Sequence, residues 1–328
     1  LYRNIYRMRI KDQFLNTFQQ VSPNNMAVIS LAMWFVMNIS TLILNKYIYV
    51  SLHFTYPVSL TAIHMMVCSI GSYLVLRVFE MTPLVPISMR EQLKTILPLG
   101  ALFAFNIVLG NVSLRWVPVS FMQTVKSSVP LFTVAMQTMF FGKRFCRNTY
   151  LSMIPIVGGV CLASLTEVNY NHYGFYAALL ASIVSALFAI VSGMSLSTQL
   201  NAINLLYYMA PCSFLLLTPL ALIYELPTIQ EKWDKYGEVG PVVMLLISGA
   251  IAFMLNVFTF LVIRYTSPLT YTVSGNLKVV LSITISVIIF QNEVNFMNGI
   301  GCAVAIAGVI WYSKIRFEAQ NQPKEDNK

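Results

Sequence analysis

The sequence predicts an all-α membrane protein with ten transmembrane helices in two inverted five-helix repeats. Three observations predict this class. The 328 residues are 57% hydrophobic and only 10% charged, with a mean hydropathy of +0.69, whereas soluble domains carry roughly 25% charged residues. The apolar residues fall into ten segments, each close to the ~20 residues that cross a bilayer. The two halves of the chain also resemble each other, and five spans per half forces the second copy to insert upside down.

In chain order the predicted spans are 26–48, 57–79, 94–115, 119–141 and 149–167 in the first repeat, and 173–197, 203–225, 241–264, 268–290 and 296–315 in the second. Very short links, Arg115-Trp116-Val117-Pro118 and Arg264-Tyr265-Thr266-Ser267-Pro268, force their neighbours into antiparallel hairpins, with proline opening the next helix. The organisation expected is an N-terminal cytosolic segment 1–25, a ten-helix domain 26–316 with repeats at about 26–167 and 173–316, and a disordered cytosolic tail 317–328. The sequence opens at Leu1, so the natural N-terminus is expected upstream and a removed targeting peptide stays open.

Of the 21 basic residues, fifteen fall on the side of the termini, among them Arg77, Arg90, Lys94, Lys143, Arg144 and Arg264. Four, Lys46, Arg115, Lys232 and Lys235, fall on the other side. The positive-inside rule then predicts that both termini are cytosolic. The net charge of +9 is therefore a topology signal. Without a basic tract interleaved with aromatics, nucleic acid is not an expected partner. The five cysteines show no CxxC or Cys/His spacing, which argues against a disulfide framework or zinc. No motif calls for a cofactor.

The internal similarity is most visible around Phe141-Gly142-Lys143 to Gly158-Gly159 and Phe290-Gln291-Asn292 to Gly308, where Phe141 to Gly159 spans the same interval as Phe290 to Gly308. Small residues cluster on three helices: Gly158 and Gly159; Gly301, Ala305 and Gly308; and Ala177, Ala181, Ser185 and Ala189. In lipid, helix association depends on close packing rather than water exclusion, so these stripes read as helix contacts.

Two lysines, Lys126 and Lys278, lie inside apolar spans, while all twelve acids fall at termini, loops or helix ends. A charge near the bilayer midplane costs at least ~2.5 kcal/mol, so it usually lines a polar cavity or ion path. Lys278 lies about ten residues into the ninth span, or ~15 Å, and Lys126 about seven residues into the fourth, or ~11 Å. Two buried cations without a buried acid predict an exchangeable anion as the counterion. Phosphate or diphosphate fits, since lysine acts toward it as a point charge. Ser267, Tyr271, Ser274, Lys278 and Ser282 share one face of the ninth span. Asn276 lies beside that face, and Gln123, Thr133 and Gln137 share much of Lys126's side. The missing intramembrane acid argues against proton or sodium coupling, and against an enzyme.

The seventh span reads Asn204-Leu205-Leu206-Tyr207-Tyr208-Met209-Ala210-Pro211. Tyr207 and Tyr208 beside a proline break suit a planar base or an interfacial anchor, with Asn204 nearby. Asn106, Asn111 and Asn256 are further intramembrane amides that serve either helix packing or substrate. His64 reads as a core histidine. Asn38-Ile39-Ser40 and Asn111-Val112-Ser113 match a glycosylation pattern but lie within spans.

These stretches resemble the drug/metabolite transporter superfamily and, more narrowly, its triose-phosphate translocator and nucleotide-sugar transporter group. The resemblance covers nearly all of 26–316. It rests on Asn45-Lys46, Gly110-Asn111-Val112-Ser113-Leu114-Arg115, Val119 to Ser127, Tyr207 to Pro211, and Gly275-Asn276-Leu277-Lys278-Val279. It implies exchange of two anionic substrates. Plastid phosphate translocators have a Lys-Arg pair on the ninth helix, where this chain has Lys278-Val279. Their helix-three histidine and threonine match Ile107 and Gly110, and their helix-eight tyrosine matches Leu255. The Lys-Val pair resembles instead the branch carrying UDP-sugars, and Tyr207-Tyr208-Met209-Ala210 lacks the amides with which GDP-mannose transporters read guanine. The resemblance thus implies a Golgi or ER antiporter exchanging a UDP-sugar for UMP. Its expected substrate-binding residues are Lys126, Lys278, Asn276, Ser274, Tyr271, Gln123, Tyr207, Tyr208, Asn204 and Asn256. The alternative is a plastid inner-envelope sugar-phosphate or phosphoenolpyruvate antiporter with phosphate. Beyond the bilayer and the phosphorylated substrate, the partners considered include a second copy in a homodimer.

Overall fold

The structure, a computed structural model, describes residues 22–165, 171–197, 200–231, 239–272, 274–275 and 296–321. Among these residues regular structure is entirely helical. The long helices are α1 (Pro23–Val50), α2 (Pro57–Tyr73), α3 (Leu97–Leu114), α4 (Val119–Lys126), α5 (Val129–Phe141), α6 (Arg147–Leu165), α7 (His172–Ser197), α8 (Ala202–Tyr224), α9 (Val239–Tyr265) and α10 (Phe296–Asn321). Among the described residues six helices are long and apolar enough to cross a membrane: Pro23–Tyr49, Pro57–Val78, Met89–Leu114, His172–Ser197, Ala202–Tyr224 and Gly240–Tyr265. The expected ninth span is helical over 268–272 and at 274–275, and the remainder, with Asn276 and Lys278, lies outside the described residues.

The helix ends follow from capping chemistry. Ser22 accepts from Asn25 N–H ahead of Pro23, so α1 starts three residues before the expected 26. Ser88 and Glu91 form a capping box that starts a turn at Met89, so the third span also begins earlier than expected. Two π-turns, Leu74–Val78 and Gln92–Ile96, flank the connection between α2 and α3.

Two expectations about continuity are corrected. The fourth span, expected as one helix over 119–141, is split at Ser127–Ser128 into α4 and α5. Pro130 stands four residues after Lys126, so the N–H that would bond Lys126 O is absent and the ring crowds that carbonyl. Conversely, the break expected at Pro211 does not occur, because α8 continues through both Pro211 and Pro219.

The chain forms two compact units, Leu1–Ala104 with Val191–Ser267, and Phe105–Ile190 with Pro268–Lys328. Two of the three boundaries fall inside α3 and α7, and the third between Ser267 and Pro268. In the first unit α2 and α8 pack antiparallel and are tied at both ends. Glu225, at the end of α8, accepts from Val58 and Ser59 N–H (3.0 and 2.6 Å) and so caps α2. At the other end, Asn204 and Tyr208 bond the connection that follows α2. Trp34 Nε1 donates to Thr259 Oγ1 (3.0 Å) between α1 and α9. A buried relay joins three helices: Ser248 Oγ donates to Asn45 Oδ1 (3.1 Å), so it accepts from His64 Nε2 (2.8 Å). His64 is thus a satisfied core histidine.

In the second unit the closest helix contact is α6 on α10. A Cβ on Gly159 would fall 2.8 Å from Ala305 Cα, and one on Gly308 would fall 2.8 Å from Ile156 N, so neither position admits a side chain. Gly158, one residue earlier, meets nothing within 4 Å and takes no part in the seam. Gly159 relates to Gly308, and Ile156 to Ala305, by the same chain interval as Phe141 to Phe290. Interchanging the partners reproduces the contact, which is the pattern a two-fold axis between similar halves produces. In the same unit α3 packs on α7, with Ser113 Oγ donating to Gly174 O (2.8 Å) and Ser185 Oγ to Asn106 Oδ1 (3.0 Å).

Candidate functional site

Lys126 is the last residue of α4 and is half-buried. The helix around it packs on one face through Val117, Phe121, Met122 and Val125, joined by Val160, Ala178 and Ala305. Burial of this face fixes the direction of α4. Ser182 Oγ of α7, which donates to Ala178 O (2.9 Å), also lies 3.4 Å from Val125 O. The ammonium lies over α3, where Nζ is 3.5 Å from the position a Cβ would take on Gly110, and among the described residues no other atom beyond the neighbouring backbone of α3 comes within 4 Å of that position. Gly110 therefore differs from Gly159 and Gly308. Its missing side chain opens space beside a charge, not room for a neighbouring helix backbone. Asn106 lies one helical turn before Gly110 on the same face of α3, where it is bonded to Ser185. Asn111 Nδ2 is buried with no hydrogen-bond partner among the described atoms.

The helix break completes this region. Thr124 O accepts from Ser127 N–H (3.0 Å) and Ser127 Oγ (2.6 Å), and Val125 O accepts from Ser128 N–H (3.1 Å) and Ser128 Oγ (2.6 Å). Both serines are buried. Non-helical backbone at membrane depth is tolerated where it is buried in protein or lines a cavity, and discontinuous helices commonly form substrate and ion sites in carriers. The break escaped the sequence reading, although Pro130 four residues beyond Lys126 was a visible signal. Gly110 was noted only as a match to a family position, and nothing in its own neighbourhood of sequence marks it as lying beside Lys126.

The other expected residues fall as follows. Gln123 is on α4, one turn before Lys126. Tyr271 and Ser274 are on the described start of the ninth span, both half-buried, in the same unit as Lys126. Asn276 and Lys278 lie outside the described residues. In the other unit, Asn256 Nδ2 donates to Ala252 O on its own helix (2.8 Å) and lies 3.8 Å from Cys68 Sγ. Tyr207 and Tyr208 pack edge to face, with centroids 5.0 Å apart. The Tyr208 hydroxyl donates to Val85 O (3.0 Å). Asn204 is fully buried, donating to Pro83 O (3.0 Å) and accepting from Val85 N–H (2.9 Å). In this structure Asn204 and Tyr208 brace the α2–α3 connection, because that proline-rich segment has no strand or helix partner for its own peptide groups.

Among the described residues no group of three or more His, Cys, Asp or Glu is placed to hold a metal. A half-buried cation, a helix break and the unpartnered Asn111 amide nitrogen form a region suited to holding an anion by charge and hydrogen bonds, with no nucleophile–base pair among its described residues.

Comparison with known proteins agrees with that chemistry. The chain is 36% identical over 298 residues to UDP-galactose transporter 1 of Arabidopsis thaliana, covering 90% of this chain and 89% of that protein. It is 36% identical over 300 residues to the GDP-mannose transporter GONST5 of the same plant, covering 90% and 88%. A probable sugar phosphate/phosphate translocator of Arabidopsis thaliana is also 36% identical, over 88% of this chain and 95% of its own. A solved crystal structure 12% identical to this chain shares the fold, with a TM-score of 0.58 over 92% of this chain and 99% of that one. The profile of the Triose-phosphate Transporter family matches residues 26–313, and the chain belongs to that family of membrane transporters.

Proposed function

We propose that this protein is a nucleotide-sugar antiporter that exchanges a UDP-sugar for UMP across the Golgi or ER membrane. The observation that carries this reading is Lys126, a cation within the membrane-spanning region at a helix break, facing the open side of Gly110. Lys126 and Lys278 hold the phosphates, with Gln123, Tyr271, Ser274 and Asn276 around them. Tyr207, Tyr208, Asn204 and Asn256 contact base or sugar, and for Asn204 and Tyr208 this requires release from Pro83 and Val85. The fold is ten spans in two inverted repeats, supported by the interchangeable α6–α10 seam and by the antiparallel α2–α8 pair. Both termini are cytosolic, supported by the fifteen-to-four division of basic residues.

The named relatives support the substrate class, because two of the three at 36% identity carry nucleotide-sugar names. Uridine is favoured over guanosine because Met209-Ala210 supplies no amide for guanine. Exchange follows from charge. An empty carrier that brings two cations together resists closing, and an anionic cargo removes the resistance.

A second reading, exchange of a sugar phosphate for inorganic phosphate, is favoured by the third relative. Thermal shift of the purified protein against UMP, GMP, inorganic phosphate and triose phosphate separates the two. Stabilisation by UMP above the others supports the proposal. Stabilisation by phosphate and triose phosphate alone overturns it.

A further inference from the structure

We infer that Ser127 and Ser128 are positioning residues for the Lys126 ammonium. This inference rests on Lys126 being an anion-binding group, and it assigns a role that burial or helix propensity alone does not. Where a helix ends, its last carbonyls lose their partners, and a lysine in the last turn can bend back to bond them. Lys126 occupies that position at the end of α4. In low-dielectric surroundings the pull toward its own helix end is strong, and a self-capping lysine offers less of its charge to a ligand.

The two serines remove that alternative. Ser127 Oγ takes Thr124 O and Ser128 Oγ takes Val125 O, both at 2.6 Å, and Ser182 Oγ adds a longer contact to Val125 O. Backbone N–H groups of the same two serines close tight i−3 bonds to the same carbonyls. The carbonyls just before Lys126 are thus occupied by neutral donors. The ammonium lies beside Gly110 on α3. Pro130 keeps the arrangement open, since it has no N–H with which to rebuild the helix across the break. Serine suits the task because its hydroxyl bonds a carbonyl one turn back without adding charge.

The test is a double-mutant cycle on the full chain in detergent, read as UMP affinity by calorimetric titration. Ser127→Ala with Ser128→Ala frees the two carbonyls, and UMP affinity is expected to fall about tenfold. Ser127→Thr with Ser128→Thr keeps both hydroxyls and restores affinity to within about twofold. On a Lys126→Ala background the alanine pair is expected to cause no further loss. The same factor in both backgrounds, or failure of the threonine pair to rescue, overturns the positioning role. If the alanine pair does not fold, either single alanine variant is read in the same cycle. Parallel titrations with inorganic phosphate separate this inference from the proposed cargo. If the parent binds phosphate but not UMP, the nucleotide reading fails, and the serine cycle is decided on phosphate by the same criteria. A parent that binds neither anion overturns both.

Discussion

The expected fourth span and α8 both carry proline within an apolar stretch, yet only one breaks. In α8, Pro211 and Pro219 each remove one N–H, and the helix continues, fastened at both ends through Asn204, Tyr208 and Glu225. In the fourth span Pro130 acts with two preceding serines, whose hydroxyls satisfy the carbonyls that a break exposes. Proline therefore weakens a membrane helix, and local donors decide whether it opens. The whole helix serves as scaffold and the open one presents a charge. Substitutions in the scaffold should change stability and leave anion affinity alone, and substitutions at the break should do the reverse.

The largest expected effect is at the lysine. Lys126→Ala should weaken UMP binding at least about 30-fold, because truncating one partner of a desolvated charge pair costs ~2 kcal/mol or more. Its melting temperature without ligand should hold or rise. Next, Gly159→Leu should destabilise the fold by about 3 kcal/mol through overpacking against α10 and leave the affinity of the surviving folded fraction unchanged. Equal loss of stability in Gly158→Leu would contradict the seam. Asn204→Ala should cost about 1–3 kcal/mol, since it leaves Pro83 O and Val85 N–H without partners. A thermal melt checks it, and a loss of UMP affinity larger than the loss of stability would move Asn204 from brace to binding site. The smallest effect sharpens the contrast most. Gly110→Ala should gain about 0.5–1 kcal/mol of stability from helix propensity while weakening UMP a few-fold, because the new methyl takes space beside Lys126 Nζ. Equal shifts of the two quantities in one direction would contradict it.

Much of the fold was legible because lipid imposes simple rules. Apolar length located most of the described helices to within a few residues, and the small residues of α6 and α10 marked helices that pack closely, though not which helices would meet. Which glycine of Gly158-Gly159 faces the partner was not legible, since the two differ only by rotation about the helix. Lys126 stood out in the sequence as the proposed anion-binding residue because a charge in an apolar run has few explanations. Its surroundings did not. That Gly110 lies under the ammonium depends on the packing of α3 against α4, and that Asn204 braces a distant segment depends on a contact more than a hundred residues away in sequence. The Pro211 expectation failed because a missing N–H was equated with a break, without asking what would satisfy the released carbonyl.

The central claim is that the cargo itself supplies the charge that neutralises Lys126 and its partner lysine. Counterflow in liposomes tests it most directly, with labelled UDP-sugar outside and either UMP or buffer inside. Rapid uptake into UMP-loaded vesicles, little uptake into empty ones, and none by the Lys126→Ala protein are the expected results. Equal uptake into loaded and empty vesicles, or undiminished exchange by Lys126→Ala, would contradict the claim.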